Sequence, residues 1–244
     1  MGEIAVTCLG SGSALTEGRL WSSLLLDGKI LLSLPPTAIS QLYRLGKDPT
    51  AIDHIFISHR HADHFFGLPF FLLLYRYRYT RDDPLYIIGP RGMEKATVEL
   101  CHAAWPDLES EDLAQRATVS FVEIGEEGKY QAGGIAFEAV KMKHFGMDAY
   151  GYRLTYKERK IAFTGDTEAG PHLDRLLTGA DIVITELTHA VPSDDPGHLD
   201  AETVSEMVAR LRARGATVLA THLRETPAPI EGLLICQDGE TYLV

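Results

Sequence analysis

The chain has 244 residues, 45% of them hydrophobic, enough for one large core or two small ones. Its 34 acidic and 23 basic side chains leave a formal charge of −11, which argues against broad, salt-dependent binding to nucleic-acid phosphates. No linker-like tract, charge block or fixed-period repeat divides it, so residues 1–244 read as one domain.

In chain order, residues 4–9 read as a strand that ends in the turn Gly10-Ser11-Gly12-Ser13. Residues 22–26 and 29–33 flank Asp27-Gly28, a two-residue hairpin signal. A short helix over 39–45 ends at Gly46, and 51–57 is a buried strand. Residues 65–79 are predicted as a helix with Pro69 in its first turn, 85–88 as a strand and 92–105 as a helix. Strands follow over 119–124, 135–140, 150–155 and 160–163. Two more, 181–185 and 218–221, bracket an amphipathic helix over 201–214, with Asp200 as its N-cap and Gly215 beyond its end. The tail, 233–244, is expected to form a hairpin around Asp238-Gly239. Strands early and late, with helices as outer layers, fit an α+β, four-layer αββα sandwich.

The most apolar segment, residues 65–74, contains Gly67 and Pro69 and is too short to span a bilayer. Cys8, Cys101 and Cys236 are odd in number, far apart and outside any CxxC pair, so they read as buried, reduced thiols. With no basic leader before the first strand, the expectation is a cytoplasmic protein without a membrane partner.

The strand over 51–57 delivers His59-Arg60-His61-Ala62-Asp63-His64. In extended backbone His59 and His61 project to the same side, and Asp63 and His64 open the next element, where the chain can turn them back. Three imidazoles and a carboxylate converging in six positions suit a borderline divalent metal. Further candidate ligands, His144, Asp166 and His222, each follow a predicted strand, where a rigid scaffold presents functional groups.

With these residues in this order, the chain resembles the metallo-β-lactamase superfamily over nearly its whole length. The resemblance implies that His59, His61 and His144 hold one metal, Asp63, His64 and His222 a second, and that Asp166 bridges them. The cofactor is then a pair of divalent ions, zinc first, with manganese or iron compatible with the carboxylate at Asp166. Such a pair brings about four positive charges to one point, so a small anionic substrate suits even this acidic chain. A closer likeness is to the ribonuclease Z-like branch, through Leu9-Gly10-Ser11-Gly12-Ser13, Gly67-Leu68-Pro69, Ile88-Gly89-Pro90-Arg91-Gly92, Glu186-x-Thr188 and Gly197-His198. It implies that His198 approaches a scissile phosphate, that Glu186 orients it, and that Asp63 both binds metal and orients an attacking, metal-bridging hydroxide.

Three departures stand out. Ser33-Leu34-Pro35-Pro36 replaces an Asp-Cys-Gly-like segment whose carboxylate supports the metal ligands, which predicts weaker metal retention. Between His144 and Asp166 there is room for only a short hairpin, not for the tRNA-binding arm of ribonuclease Z. Asp200 stands where a Thr or Ser is usual. The expected function is therefore a phosphodiesterase on a small or single-stranded phosphodiester, with tRNA disfavoured as a partner and a homodimer left open. The alternatives are an acyl hydrolase of a lactone, thioester or β-lactam, and a non-catalytic metal-binding sensor. The glycine-rich turn at 10–13 is read as a tight turn rather than a phosphate cradle. The Tyr/Arg run at 75–81 is read as a helix end rather than a nucleic-acid surface. His54, His102 and His172 have no ligand context, and His189 is divided between substrate contact and loop polarity.

Overall fold

Strands that are apolar on both faces must be covered on both, and this chain meets that demand twice. In a computed structural model, which describes residues 2–107 and 117–244, one sheet contains β1 (Ala5–Gly10), β2 (Ser23–Leu26), β3 (Ile30–Leu32), β4 (His54–Phe56), β5 (Arg81–Pro90) and β6 (Ala117–Ile124). The other contains β7 (Gly128–Ala132), β8 (Ile135–Met142), β9 (Ala149–Tyr156), β10 (Arg159–Phe163), β11 (Ile182–Glu186), β12 (Thr217–Thr221) and β13 (Leu233–Ile235). The last strand, β14 (Thr241–Leu243), returns to the first sheet, giving the orders β14-β1-β2-β3-β4-β5-β6 and β13-β12-β11-β10-β9-β8-β7.

Alternation along each strand assigns the faces. Val6 and Cys8 of β1, Leu24 and Leu26 of β2 and Phe56 of β4 point between the sheets, against Phe137, Tyr152, Ile161 and Ile184. The intervening Leu25, Leu31 and Ile55 point outward, under α1 (Pro36–Arg44), α3 (Leu68–Tyr77) and α4 (Met93–Ala104). Val183 and Val218 point outward on the other sheet, under α5 (Pro171–Leu177) and α6 (Ala201–Arg212). These are the four layers of the αββα sandwich. In each sheet three antiparallel pairings are followed by three parallel ones. Parallel neighbours end on the same side, so the loops after β3, β4, β10, β11 and β12 meet at one edge.

Several predicted elements need correction. The tail is not a hairpin: β13 pairs in parallel with β12, whereas β14 pairs with β1 of the opposite sheet. Asp238 and Gly239 carry the chain across the edge of the sandwich, a role no local turn signal separates from hairpin closure. The helix expected over 65–79 is two, α2 (Ala62–Phe65) and α3, parted at Gly67. A side chain there would come within 2.5 Å of the Leu34 carbonyl oxygen. The strand expected over 51–57 is shortened to β4, because Pro49–Ala51 forms a 3-10 turn. Two further elements lie outside the predicted ones: β7, a five-residue edge strand whose exposure alternates along Gly128–Ala132, and α5, which has only seven residues.

Candidate metal centre

His59 and His61 leave β4, Asp63 and His64 sit on the first turn of α2, His144 follows β8, Asp166 follows β10 and His222 follows β12. The structure brings all seven together. His59 Nε2 and His144 Nε2 stand 3.0 and 3.1 Å from His61 Nδ1. Asp166 Oδ2 lies 3.2 Å from His64 Nε2, 3.3 Å from His222 Nε2, 3.8 Å from His59 Nε2 and 4.0 Å from His144 Nε2. Asp63 Oδ2 is 3.3 Å from His222 Nε2 and 3.4 Å from His64 Nε2. Two ligand sets with no residue in common result, His59-His61-His144 and Asp63-His64-His222, and Asp166 groups with His59 and His64 between them. Donors about 2.1 Å from a tetrahedral ion stand roughly 3.4 Å apart, so the spacing fits a divalent cation in each set.

The outer hydrogen bonds aim these donors. Nδ1 of His144 donates to the Gly197 carbonyl at 2.8 Å, which leaves its Nε2 lone pair directed inward. Nδ1 of His59 meets Ser58 Oγ at 3.0 Å, and Nδ1 of His222 meets Thr188 Oγ1 at 2.9 Å. His64 Nε2 is buried without a hydrogen-bond partner although Asp166 is so near, an atom aimed at a shared point rather than at its neighbour. Its Nδ1 is 3.0 Å from Ser33 Oγ. Ser33 therefore takes over the orienting contact whose loss the sequence suggested, with a neutral hydroxyl in place of a carboxylate. Removing it in Ser33→Ala is expected to weaken metal retention about 10–100-fold, measured by chelator competition. Ser33→Asp, which tolerates the local φ of +61°, is expected to strengthen it.

Electrostatics point the same way. Burial holds His59, His61 and His144 below the ordinary histidine range, so they are neutral donors. Burial disfavours charge on Asp63 and Asp166 too, yet the surrounding imidazoles hold both below the usual carboxylate range. Burial likewise opposes charge on His64, but Asp166 and Asp63 push it well above the histidine range. A buried pocket that sustains two carboxylates this way calls for positive charge. Ser33, Phe145 and His222 all adopt left-handed backbone, at φ +61°, +44° and +57°. Such conformations cost about 1–3 kcal/mol each and gather at functional sites.

Beside the ligands stands His198, whose Nδ1 is 3.1 Å from each Glu186 carboxylate oxygen. Glu186 is itself fixed by the Thr167 amide at 2.7 Å and the Thr188 hydroxyl at 2.6 Å. Burial disfavours the His198 imidazolium, but the Glu186 carboxylate more than offsets this and pushes the group up to about 9. His198 lines a cleft of about 270 Å³ with His61, Asp63, Asp166 and His222. Its walls also include Leu15, Phe145, Asp195 and Arg224, none of which the sequence analysis singled out. Leu15 and Phe145 are 73% and 55% exposed, and only assembly of the site gives them meaning. Proximity to His144 and His222 in sequence was the one available signal for Phe145 and Arg224.

Other candidates resolve plainly. The Ser11 and Leu20 amides donate to Asp238 at 2.8 and 2.6 Å, so the glycine-rich turn is closed by the protein's own carboxylate. Tyr75 is buried, Arg78 stacks on Tyr43 and Tyr79, and Arg81 donates to the Thr50 and Ile52 carbonyls. That run is structural. His54 is buried between Asp53 and the Ala132 carbonyl, His172 between Thr167 and the Glu168 carbonyl, and His102 is exposed. His189 contacts Asp195 at 2.9 Å, with its ring centroid 6.2 Å from that of His198. It therefore ties down the loop over the cleft. All three cysteines are free and buried, and no helix among the described residues is long and apolar enough to cross a membrane.

The family described as a beta-lactamase superfamily domain matches residues 31–223. A ribonuclease Z of Staphylococcus haemolyticus is 34% identical over 116 residues, which cover 46% of this chain and 32% of that protein. The chain thus matches about a third of this curated relative's length. Among solved structures, a diphosphatase of the PhnP family superposes with a TM-score of 0.71 at 22% identity, covering 98% and 97% of the two chains. The metallo-β-lactamase fold protein YhfI of Bacillus subtilis superposes with a TM-score of 0.75 at 17% identity over the full length of both.

Proposed function

The chain belongs to the metallo-β-lactamase superfamily, and from that premise we propose that it is a metal-dependent hydrolase acting on a small or single-stranded phosphodiester. The observation that carries this reading is the His198–Glu186 pair, set at 3.1 Å beside the ligand cluster with Nε2 left for the cleft. An acyl oxyanion needs only metal to stabilise it, whereas a phosphoryl oxygen or a departing alkoxide gains from an imidazolium.

His59, His61 and His144 would hold one divalent ion and Asp63, His64 and His222 the other, with Asp166 between them. These ions would lower the pKa of water and polarise the phosphoryl group. The remaining work belongs to the chain. Asp63, in the floor of the cleft, orients the attacking water. As the new P–O bond forms and the bond to the leaving oxygen breaks, His198 Nε2 gives its proton to that oxygen. Glu186 holds the charged imidazole throughout, and Thr188 and the Thr167 amide hold Glu186.

The ribonuclease Z relative raises RNA as a substrate. Between His144 and Asp166, however, this chain has only the β9–β10 hairpin, turned at Lys157 and Glu158 with φ +47° and +62°. With a charge of −11 as well, the reading favours a small substrate over a folded tRNA. The test is a panel of phosphodiesters, lactones and thioesters assayed with added zinc, manganese or iron and with a chelator. Chelator-sensitive turnover of diesters alone is expected, and turnover of acyl substrates alone would sink the proposal.

The pH profile probes the pair. Activity that needs protonated His198 falls as pH rises through its pKa, and Glu186 is what raises that pKa. In Glu186→Gln the alkaline limb is therefore expected to move to lower pH, read from kcat between pH 6 and about 10. An unmoved limb would remove Glu186 from this role.

A further inference from the structure

Beside the cleft, and sharing Phe145 with it, lies a second, larger hollow. The cleft holds about 270 Å³, room for a phosphoryl group with one compact substituent. Sites for drug-sized ligands run from about 300 to 1,000 Å³. The second hollow holds about 860 Å³ and is lined by Met142, Met147, His172, Arg175 and Pro196. Among the described residues, Phe145 is the one side chain that borders both.

The placement of Phe145 is unusual. Its backbone is left-handed, at φ +44°, which a β-carbon disfavours. Its ring lies 5.6 Å from the His198 ring, edge-on, and 4.7 Å from His144. Gly197 makes room for it: a side chain there would come within 2.4 Å of the phenyl ring. A ring so exposed does not serve the core. It packs on the group that meets the departing oxygen.

We infer that the hollow beyond Phe145 is the leaving-group subsite, and that it accepts an aromatic alcohol or nucleoside. This rests on the phosphodiesterase reading and names the substrate class. The departing oxygen meets His198 Nε2, so its organic group extends past His198 on the side where Phe145 stands. Phe145, Met142 and Met147 in its lining offer polarisable apolar contacts for a ring. Lys143, paired with Glu168 at 3.1 Å, supplies a polar contact at the rim.

Two variants test this. Met147→Trp fills the hollow, and Phe145→Ala removes the shared wall without touching the core. The first readout is binding of 4-methylumbelliferyl phosphate, followed by fluorescence, which needs no turnover. Each variant is expected to weaken it at least tenfold, and unchanged binding in both overturns the subsite whether or not the protein cleaves diesters. The second is kcat/KM for methyl p-nitrophenyl phosphate and bis(p-nitrophenyl) phosphate, which share a leaving group and differ in the group left behind. Equal losses, about tenfold or more and mainly in KM, are expected. A loss confined to the bis-ester would assign the hollow to the other substituent and overturn the leaving-group assignment. A wild-type protein that binds the fluorophore but cleaves neither diester would remove the phosphodiesterase reading alone, and with it the premise that names the leaving side.

Discussion

Replacing His198 by alanine is expected to lower kcat for an alkyl phosphodiester by about 10²–10⁴-fold, the usual contribution of a positioned proton donor. KM should change little, because the side chain acts on charge that develops only as the bond breaks. The loss should shrink for a nitrophenolate leaving group, which departs without a proton, and grow with the basicity of the leaving alcohol. His198 can also join ligand sets with His144 and Asp166 or with Glu186 and His222. Metal content separates the two roles. An unchanged content with lowered kcat fits a proton donor, whereas a content that falls with His198→Ala marks a ligand.

Asp166→Asn is expected to be more severe. The side chain keeps its shape, but the buried carboxylate that lies within 4.0 Å of four imidazoles becomes a neutral amide. The cations that the two ligand sets would hold then lose the one anion placed between them, and metal content should fall below that of the wild-type protein, with diester turnover abolished. A second measurement does not depend on activity. A ligand at 100 times its Kd stabilises a fold by about 2.7 kcal/mol. Added zinc should therefore raise the unfolding midpoint of the wild-type protein and leave that of Asp166→Asn nearly unmoved. Equal midpoint shifts in both proteins would take Asp166 out of the metal site.

The seven candidate ligands were legible because they fall in two readable contexts: a dense run after one strand and single residues at the ends of others. Those positions converge in space because β4, β10 and β12 all end on one side of the sandwich. Glu186 and His198 were reachable only through resemblance. They lie 12 positions apart, and neither has a local pattern that predicts their contact. At Ser33 the sequence shows the missing carboxylate but not the backbone at φ +61° that turns the hydroxyl onto His64 Nδ1.

By itself the sequence determined the layered α+β sandwich, because alternation and turn signals are local, and it picked out the seven candidate ligands, because ligand chemistry is written in residue type. Tertiary structure alone decided how the tail splits between the two sheets, since a parallel pairing and an edge pairing leave the same short apolar signature. It also decided the shape of the cleft and the place of Phe145 beside His198, because exposure of a lone aromatic acquires meaning only from what folds up next to it.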